Sequence, residues 1–298
     1  MSRFSLTSLT HRSILTLSGA DRVRFLQWLV TADIAALSAG SATWTACLTP
    51  QGRWQYDFFV IAHPHEPCFL LDCASIQAEA LRTFLYRFRL RADINIEHTS
   101  FPIHAMWENQ DTTCLKNIQD TPPPGLAAYC SLSTLCFPDP RLKAAGWRLI
   151  NASLEIPPEI IAPFSEYEHH RLTLGLTDSV QDCEIGRTFA AEANMDLLGG
   201  ISWNKGCYMG QEVTARLHYR HLLKQRLIPV MGTRPLPPAD SPIFCDDVEV
   251  GRLRSTLGQR GLALLKLDAL ADPLYCCDQI LTAHPPNWMT SAIPHPQT

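Results

Sequence analysis

The chain has 298 residues, 46% of them hydrophobic and 18% charged, so it can bury a large core and divide into two or three domains. A formal net charge of −4 gives no overall basic bias, which argues against broad non-specific binding to nucleic acids. The eleven cysteines are odd in number and scattered without a Cys-x-x-Cys pair. This pattern favours reduced intracellular thiols over a disulfide framework or a zinc or iron–sulfur site, and we expect no metal site.

No segment is long and apolar enough to span a membrane, so we expect no membrane partner. Residues 1–13 contain Arg and Ser and no acidic residue, which is a weak sign of an organelle transit peptide. A strand-like run over residues 13–17 follows at once, however, and leaves almost no room for a removable segment. These features together predict a cytoplasmic protein.

The first hundred residues predict a sheet with helices. After the strand at residues 13–17 comes a short amphipathic helix, and then residues 42–49 and 53–62 alternate in hydrophobicity around a Thr-Pro-Gln-Gly turn. This arrangement predicts a β-hairpin. Asp57 lies within its second strand. It is either an acid that faces solvent or pairs with an arginine, or a functional acid placed near a cleft for proton transfer.

A second helix is predicted from Ser75, where apolar residues recur every four positions at Ile76, Ala80, Phe84 and Phe88. Its arginines are Arg82, Arg87, Arg89 and Arg91. Cations near a helix C-terminus commonly interact with the helix dipole and solvent, and the alternative is that one or two bind a carboxylate or phosphate in a cleft. Residues 109–141 are rich in loop signals, including a Thr-Pro-Pro-Pro-Gly run at 121–125, and a helix over residues 166–174 ends at Gly175.

The composition changes after His221. Prolines cluster there, and short alternating runs separated by Gly and Pro predict a small all-β barrel. We therefore expect three domains: an N-terminal α+β subdomain over residues 1–108, a second α+β subdomain over residues 109–223, and a C-terminal barrel over residues 224–298.

The most unusual segment lies at residues 201–216, where Gly206 and Gly210 flank Cys207 and Lys205 stands just before. From Gly210 onward the pattern becomes helical, so Cys207 is expected in the loop that enters a helix N-terminus. A thiol beside a cation and the positive end of a helix dipole favours the thiolate, which is the reactive form of cysteine. The alternative is a small, buried and inert side chain in a tight loop.

A resemblance to a known family is carried by the run Lys205-Gly206-Cys207-Tyr208-Met209-Gly210-Gln211-Glu212 and by Arg216 beyond it. The chain resembles the YgfZ family of tetrahydrofolate-binding proteins, which are related to the aminomethyltransferase (GcvT, the T-protein) of the glycine cleavage system. Several details are similar to the family's alphaproteobacterial and mitochondrial branch. Further matches follow in order along the chain: Gly19-Ala20-Asp21-Arg22, Leu48-Thr49-Pro50-Gln51-Gly52-Arg53, Asp139-Pro140-Arg141, Gly146-Trp147-Arg148 and Glu192-Ala193-Asn194.

The resemblance implies an α+β, T-protein-like multidomain fold with a central folate cleft and a small C-terminal β-barrel. It also implies a role in the assembly or repair of iron–sulfur clusters in client enzymes. Folate binding calls for a carboxylate toward the 2-amino-pterin edge, apolar walls for the rings and cations for the glutamate tail. The residues predicted at this site are Arg53, Asp57, Arg171, Glu192, Asn194, Trp203, Lys205, Tyr208, Gln211, Glu212 and Arg216, with Trp54 and Tyr56 as further walls.

Three functions compete. The first is a tetrahydrofolate-binding accessory protein for iron–sulfur enzymes, with Cys207 as the functional thiol, Lys205 beside it and no classical turnover. A single cysteine cannot complete a four-ligand cluster site, so other ligands would come from folate, a partner or another subunit. The second is a tetrahydrofolate-dependent one-carbon (aminomethyl) transferase that uses Asp57. The T-protein has paired aspartates where this chain has Tyr56-Asp57, and this difference weakens the transferase hypothesis.

The third function is support of tRNA modification through the arginines. No basic motif of known type accompanies them, so no direct nucleic-acid binding is expected. The predicted partners are folate and iron–sulfur client or assembly proteins, and the chain is predicted to act as a monomer.

Overall fold

A computed structural model describes residues 3–109, 134–151 and 158–293. The chain forms two compact units, each assembled from several segments. The first unit comprises Met1–Leu48, Tyr56–Tyr167 and Leu198–Met209, and the second comprises Thr49–Gln55, Glu168–Leu197 and Gly210–Thr298. The predicted three-domain division at residues 108/109 and 223/224 stays a prediction.

The first unit contains a five-stranded and a four-stranded sheet. In chain order the strands are β1 (Phe4–Ser8), β2 (Arg12–Ser18), β3 (Ala42–Leu48), β4 (Trp54–Ala62), β5 (Phe69–Ala74), β6 (Asn95–Thr99), β7 (Ile103–Glu108), β8 (Leu135–Pro138) and β9 (Trp147–Ile150). The larger sheet has the order β3-β4-β5-β2-β6 and the smaller one β1-β7-β9-β8. The predicted hairpin is confirmed, because β3 and β4 are neighbours and the turn closes with a bond from the Gly52 amide to the Thr49 carbonyl at 2.9 Å.

Two helices, α1 (Arg22–Leu29) and α2 (Ala78–Arg87), bury one face each in the core that contains the larger sheet. The predicted apolar face of α2 is only partly confirmed: Phe84 and Phe88 pack against this core, but Ile76 and Ala80 are exposed. Residues Ala78, Leu81 and Leu85 are buried, whereas Ile76 is 82% exposed and precedes the α-helix in a 3₁₀ turn. A strict repeat of four drifts by about 40° per step around a helix of 3.6 residues per turn, so it cannot stay on one face.

The smaller sheet depends on one glycine. Gly146 precedes β9 with φ +86°, and a Cβ placed there would lie 2.1 Å from the carbonyl oxygen of Met106 on the neighbouring strand β7. Any other residue would push β9 away from β7. The predicted loop at residues 121–125 lies outside the described residues.

The second unit is built around a closed barrel of six antiparallel strands, which confirms the predicted C-terminal β-barrel. The strands β10 to β15 are Gln225–Gly232, Pro242–Cys245, Val248–Leu257, Arg260–Lys266, Leu274–Cys276 and Gln279–Ala283, in the order β10-β13-β12-β11-β14-β15. The interior is apolar, and it includes Ile228, Leu253 and Leu265 at 0% exposure. Within the described residues, three further α-helices follow β9: α3 (Phe164–Leu174), α4 (Ser179–Asp182) and α5 (Gln211–Tyr219). Among the helices of the described residues, none reaches the length and apolarity needed to cross a bilayer.

Candidate functional sites

The segment that carries Cys207 is anchored from both sides in the first unit. Lys205 is buried, and its Nζ donates to the carbonyl oxygens of Val30 and Ala32 at 2.7 Å each. Tyr208 is buried as well, and the Lys205 ammonium lies 5.3 Å from the centroid of its ring. Gly206 and Cys207 between these anchors are exposed. The fold therefore presents this thiol to solvent on a firmly held loop, and the alternative of a buried Cys207 is wrong.

Lys205 has a structural task that its predicted role beside the thiol did not include. Burial lowers the pKa of its ammonium to about 8, and the nearby Asp33 carboxylate opposes that shift. Even the neutral amine retains two N–H donors, one for each of the two carbonyls. Lys205 thus holds residues 201–208 to the segment that follows α1. Because its ammonium is used in this way, the prediction that Cys207 is a functional thiol rests on the exposure of Cys207 and on its position just before α5.

Asp57 lies inside the first unit, so the prediction of a solvent-facing strand acid is wrong. It is 5% exposed and accepts a hydrogen bond from the indole Nε1 of Trp44 at 2.9 Å. The two residues lie on adjacent strands of the larger sheet, and both are covered. Asp57 is therefore held in one position, as either a structural or a functional carboxylate must be.

A buried ion network surrounds the ring of Phe59, two residues along the same strand. Asp72 accepts from Arg12 Nε at 2.7 Å and from Arg148 Nη1 at 2.7 Å. Asp139 accepts from Arg148 at 3.3 Å and from Arg141 at 2.8 Å. Three guanidinium carbons lie within 4.0–5.6 Å of the ring centroid of Phe59, those of Arg12, Arg141 and Arg148.

This network gives a structural reason for two motifs that carry the family resemblance, Asp139-Pro140-Arg141 and Gly146-Trp147-Arg148. Burial alone would raise the pKa of Asp139, but Arg141 and Arg148 outweigh it and hold that pKa well below its usual range. Three arginines face two network aspartates, and the Asp57 charge also acts on Arg12. With Asp57 the positive and negative charges balance, which agrees with the predicted alternative of an acid that pairs with an arginine.

The second unit brings together two of the predicted folate residues, Arg53 and Glu192, in an open cavity of about 330 Å³. The Arg53 guanidinium lies 3.5 Å from the centroid of the Phe189 ring and donates to the carbonyl of Arg187. Glu192 accepts from the Phe189 amide at 2.7 Å and from Gln225 at 2.8 Å. Most other wall residues are charged: Glu184, Arg187, Glu249, Arg252, Arg254 and Lys266.

The charges around this cavity are largely paired with one another. Arg254 bonds to Glu184 at 2.5 Å, and Arg252 bonds to Glu249 at 2.8 Å. Glu192 differs, because burial raises its pKa while its hydrogen bonds and the charges of Arg53 and Arg254 oppose the rise. It is thus a buried carboxylate in the cavity wall with a raised pKa.

Two predicted folate residues, Arg171 and Asn194, are buried and bonded to other groups of the protein. All five N–H donors of Arg171 are used, because its guanidinium bonds to Glu168, Asp182, Ser255 and a backbone carbonyl while the residue is 2% exposed. Asn194 is 0% exposed, adopts φ +62° and donates to the carbonyl of Leu227 at 2.8 Å. Both side chains are engaged within the protein, and their assignment to folate stays a prediction.

The remaining predicted residues lie on or near α5. Gln211 is half-buried at the first position of the helix, and Glu212 and Arg216 are exposed on it. A carboxylate in the first turn and a guanidinium in the last turn both complement the helix dipole. Trp203 is half-buried in the first unit. The predicted residues are thus divided between the two units. The first contains Asp57, Trp203, Lys205, Cys207 and Tyr208, and the second contains Arg53, Arg171, Glu192, Asn194, Gln211, Glu212 and Arg216.

The fold defines the class of protein first. The chain resembles the crystal structure of the glycine cleavage system aminomethyltransferase T from Bartonella henselae, with a TM-score of 0.76 over 98% of this chain and 88% of that one. At 12% sequence identity this likeness shows the fold alone. The predicted T-protein-like fold is therefore confirmed.

Sequence relatives narrow the comparison. Residues 224–291 match the family model described as the C-terminal β-barrel domain of CAF17. The chain is 29% identical to the human protein named iron–sulfur cluster assembly factor IBA57, mitochondrial, over 93% of this chain and 83% of that protein. It is also 29% identical to the mouse protein of the same name, over 94% of this chain and 84% of that protein. A Neurospora crassa homologue is 30% identical, over 80% of this chain and 57% of that protein.

These relatives correct one prediction. The human, mouse and Neurospora crassa proteins are all named as mitochondrial, and this overturns the prediction of a cytoplasmic protein. The prediction had rested on the lack of a membrane span and of room for a removable segment, and neither observation assigns a compartment.

Proposed function

We propose that the chain supports the assembly or repair of iron–sulfur clusters in client enzymes, with tetrahydrofolate as cofactor and Cys207 as the working thiol. The observation that carries this proposal is the similarity, over nine-tenths of the chain, to proteins named iron–sulfur cluster assembly factors. Iron–sulfur clusters are held by cysteine thiolates, and Cys207 is exposed between two buried anchors. A thiol held in this way can meet a cluster or a client cysteine without first unfolding a loop.

To hold a cluster, Cys207 needs further ligands that its neighbouring residues do not supply. In the part of the chain that the structure describes, it belongs to no group of three metal-ligating side chains. Four ligands complete a usual cluster site, so a partner protein, a second copy or folate supplies the others. This is why the partners in the proposal are iron–sulfur client or assembly proteins.

The folate part of the proposal rests on the donor chemistry of the Arg53–Glu192 cavity. Folate has an amino-pterin edge that a carboxylate recognises and an anionic glutamate tail that guanidinium groups recognise. Glu192 and Arg53 supply one group of each kind in the same cavity, and Glu212 and Arg216 are exposed on α5. When bound, tetrahydrofolate would supply a carrier for one-carbon groups.

Two measurements test the proposal. Cells that lack the chain should lose activity of iron–sulfur enzymes and keep that of enzymes without clusters, and equal activity in both groups would contradict the role. Calorimetric titration of the purified chain with tetrahydrofolate should show saturable binding. Arg53→Gln should weaken it several-fold, and Arg82→Gln, on an exposed helix of the first unit, should leave it unchanged.

A one-carbon transferase is the second candidate, and the observation that favours it is the fold shared with an aminomethyltransferase. Asp57 would be its acid or base. Sustained turnover with an aminomethyl donor and tetrahydrofolate, lost in Asp57→Asn, would place this candidate first.

A further inference from the structure

The turn between β4 and β5 gathers an unusual set of side chains. Its sequence is His63-Pro64-His65-Glu66-Pro67-Cys68, which places four residues of metal-ligating type within six positions. A ligand atom of each of His63, Glu66 and Cys68 lies within 4.8 Å of the other two. Sequence analysis passed over this set because it considered only the spacing between cysteines.

The scaffold beneath the turn is rigid. Ala62 and Phe69 are paired across β4 and β5, and the His63 amide donates to the Cys68 carbonyl at 3.1 Å directly above that pair. The first and last residues of the set are thus fixed by the sheet, and Cys68 is only 7% exposed. A site built on strand ends holds its ligands more closely than one on a free loop.

Turn formation explains one part of the set and leaves the rest unexplained. The His63 Nδ1 accepts hydrogen bonds from the amides of Glu66 at 2.9 Å and His65 at 3.3 Å, which stabilises the turn. Those bonds do not require the Glu66 carboxylate and the Cys68 thiol to converge on the same point. The Cys68 Sγ nevertheless lies 4.0 Å from Glu66 Oε2.

We propose that His63, Glu66 and Cys68 form a binding site for a borderline divalent metal ion of the Zn²⁺ type. One nitrogen, one oxygen and one sulfur ligand suit such an ion and not Mg²⁺ or Ca²⁺, which take oxygen ligands. A thiolate and a carboxylate neutralise the charge of the dication, and the Cys68 proton leaves to solvent on binding. This proposal does not depend on the proposed function.

The geometry needs only a small contraction. Tetrahedral Zn²⁺ with bonds of 2.0–2.3 Å separates its ligand atoms by about 3.3–3.8 Å, against the 4.8 Å limit that the set meets. Glu66 is exposed and His63 is half-buried, so rotation of these two side chains supplies the contraction while the backbone of the turn stays fixed. Exposed His65, whose ring centroid is 6.3 Å from that of His63, or a water molecule would supply the fourth ligand. The open cavity of about 380 Å³ that these residues line gives an ion access.

The test is a titration of the purified, metal-free full-length chain with Co²⁺, followed by displacement with Zn²⁺. The expected result is one equivalent of Co²⁺ with a thiolate-to-cobalt absorption band, which Zn²⁺ abolishes and excess Mg²⁺ does not. The band should disappear in Cys68→Ser and persist in Cys207→Ser and Cys277→Ser, the matched controls at the two cysteines that are exposed in the described part of the chain. Glu66→Gln changes only an exposed side chain, and it should weaken Zn²⁺ binding at least about tenfold.

Glu66→Gln keeps the test decisive if Cys68→Ser fails to fold. A wild-type chain without the thiolate band would overturn the proposal. So would a band that survives in folded Cys68→Ser, or Zn²⁺ binding that Glu66→Gln leaves unchanged.

Discussion

Asp72→Asn should strongly destabilise the first unit. Asp72 is 0% exposed and bonds to Arg12 and to Arg148 at 2.7 Å each. Asparagine has nearly the same shape, so the substitution removes a charge without opening a cavity. Both guanidinium groups would then stay buried without the carboxylate that neutralises them.

The magnitude follows from the cost of an uncompensated buried charge. Removing one partner of a buried ion pair costs about 3–5 kcal/mol, whereas an exposed pair contributes little. Asp139 and Asp57 would remain as the two acids of the network, against three arginines. We therefore expect a loss of about 3–5 kcal/mol in the free energy of unfolding of this unit.

Urea unfolding monitored by tryptophan fluorescence would measure the loss, because Trp44 and Trp147 lie in this unit. The matched control is Glu79→Gln, which removes the acid of the exposed pair with Arg82 at 2.8 Å and should leave the midpoint unchanged. If Asp72→Asn unfolds at the wild-type urea concentration, the network does not stabilise the fold and the reasoning fails.

Three further predictions concern single groups. Lys205→Met removes the donor of two backbone carbonyls and should cost about 1–3 kcal/mol in urea unfolding; an unchanged midpoint would show that water replaces the amine. Iodoacetamide should label Cys207 at least as fast as exposed Cys277 and much faster than Cys73, because burial raises the pKa of the Cys73 thiol to about 12. Mass spectrometry that finds Cys73 labelled first would contradict the structure. The pKa of Asp139 is held below its usual range, so its stabilising contribution is complete above about pH 4 and is lost as the pH falls further. Asp139→Asn should therefore flatten the acid side of the stability profile, and parallel profiles would refute this assignment.

Local pattern accounts for much of the fold. The alternation on either side of the Thr-Pro-Gln-Gly turn and the short alternating runs after residue 224 predicted the hairpin and the barrel. The burial of α2 was predicted only in part because a spacing of four was taken as one face, although the helix begins only at Ala78. Periodicity is local information, and it failed where the start of the element was misplaced.

The candidate sites were less predictable because they depend on long-range contacts. Asp57 was assigned to solvent, to an arginine or to a cleft, and its indole partner Trp44 is 13 residues away on the adjacent strand. Arg171 was proposed for a ligand, and its donors are used by groups as distant as Ser255. No spacing rule brings such positions together. Cys207 is held at the surface because Lys205 beside it is buried, and the residues around Lys205 in the sequence do not indicate that burial.

The central claim is that Cys207 is the working thiol in iron–sulfur cluster assembly. The most direct measurement is the activity of iron–sulfur enzymes in cells whose only copy of the chain is wild type, Cys207→Ser or Cys277→Ser. Both cysteines are exposed, so equal amounts of folded protein are expected in all three strains. The account predicts loss of activity in Cys207→Ser alone. Activity in Cys207→Ser equal to that in the Cys277→Ser strain would contradict it.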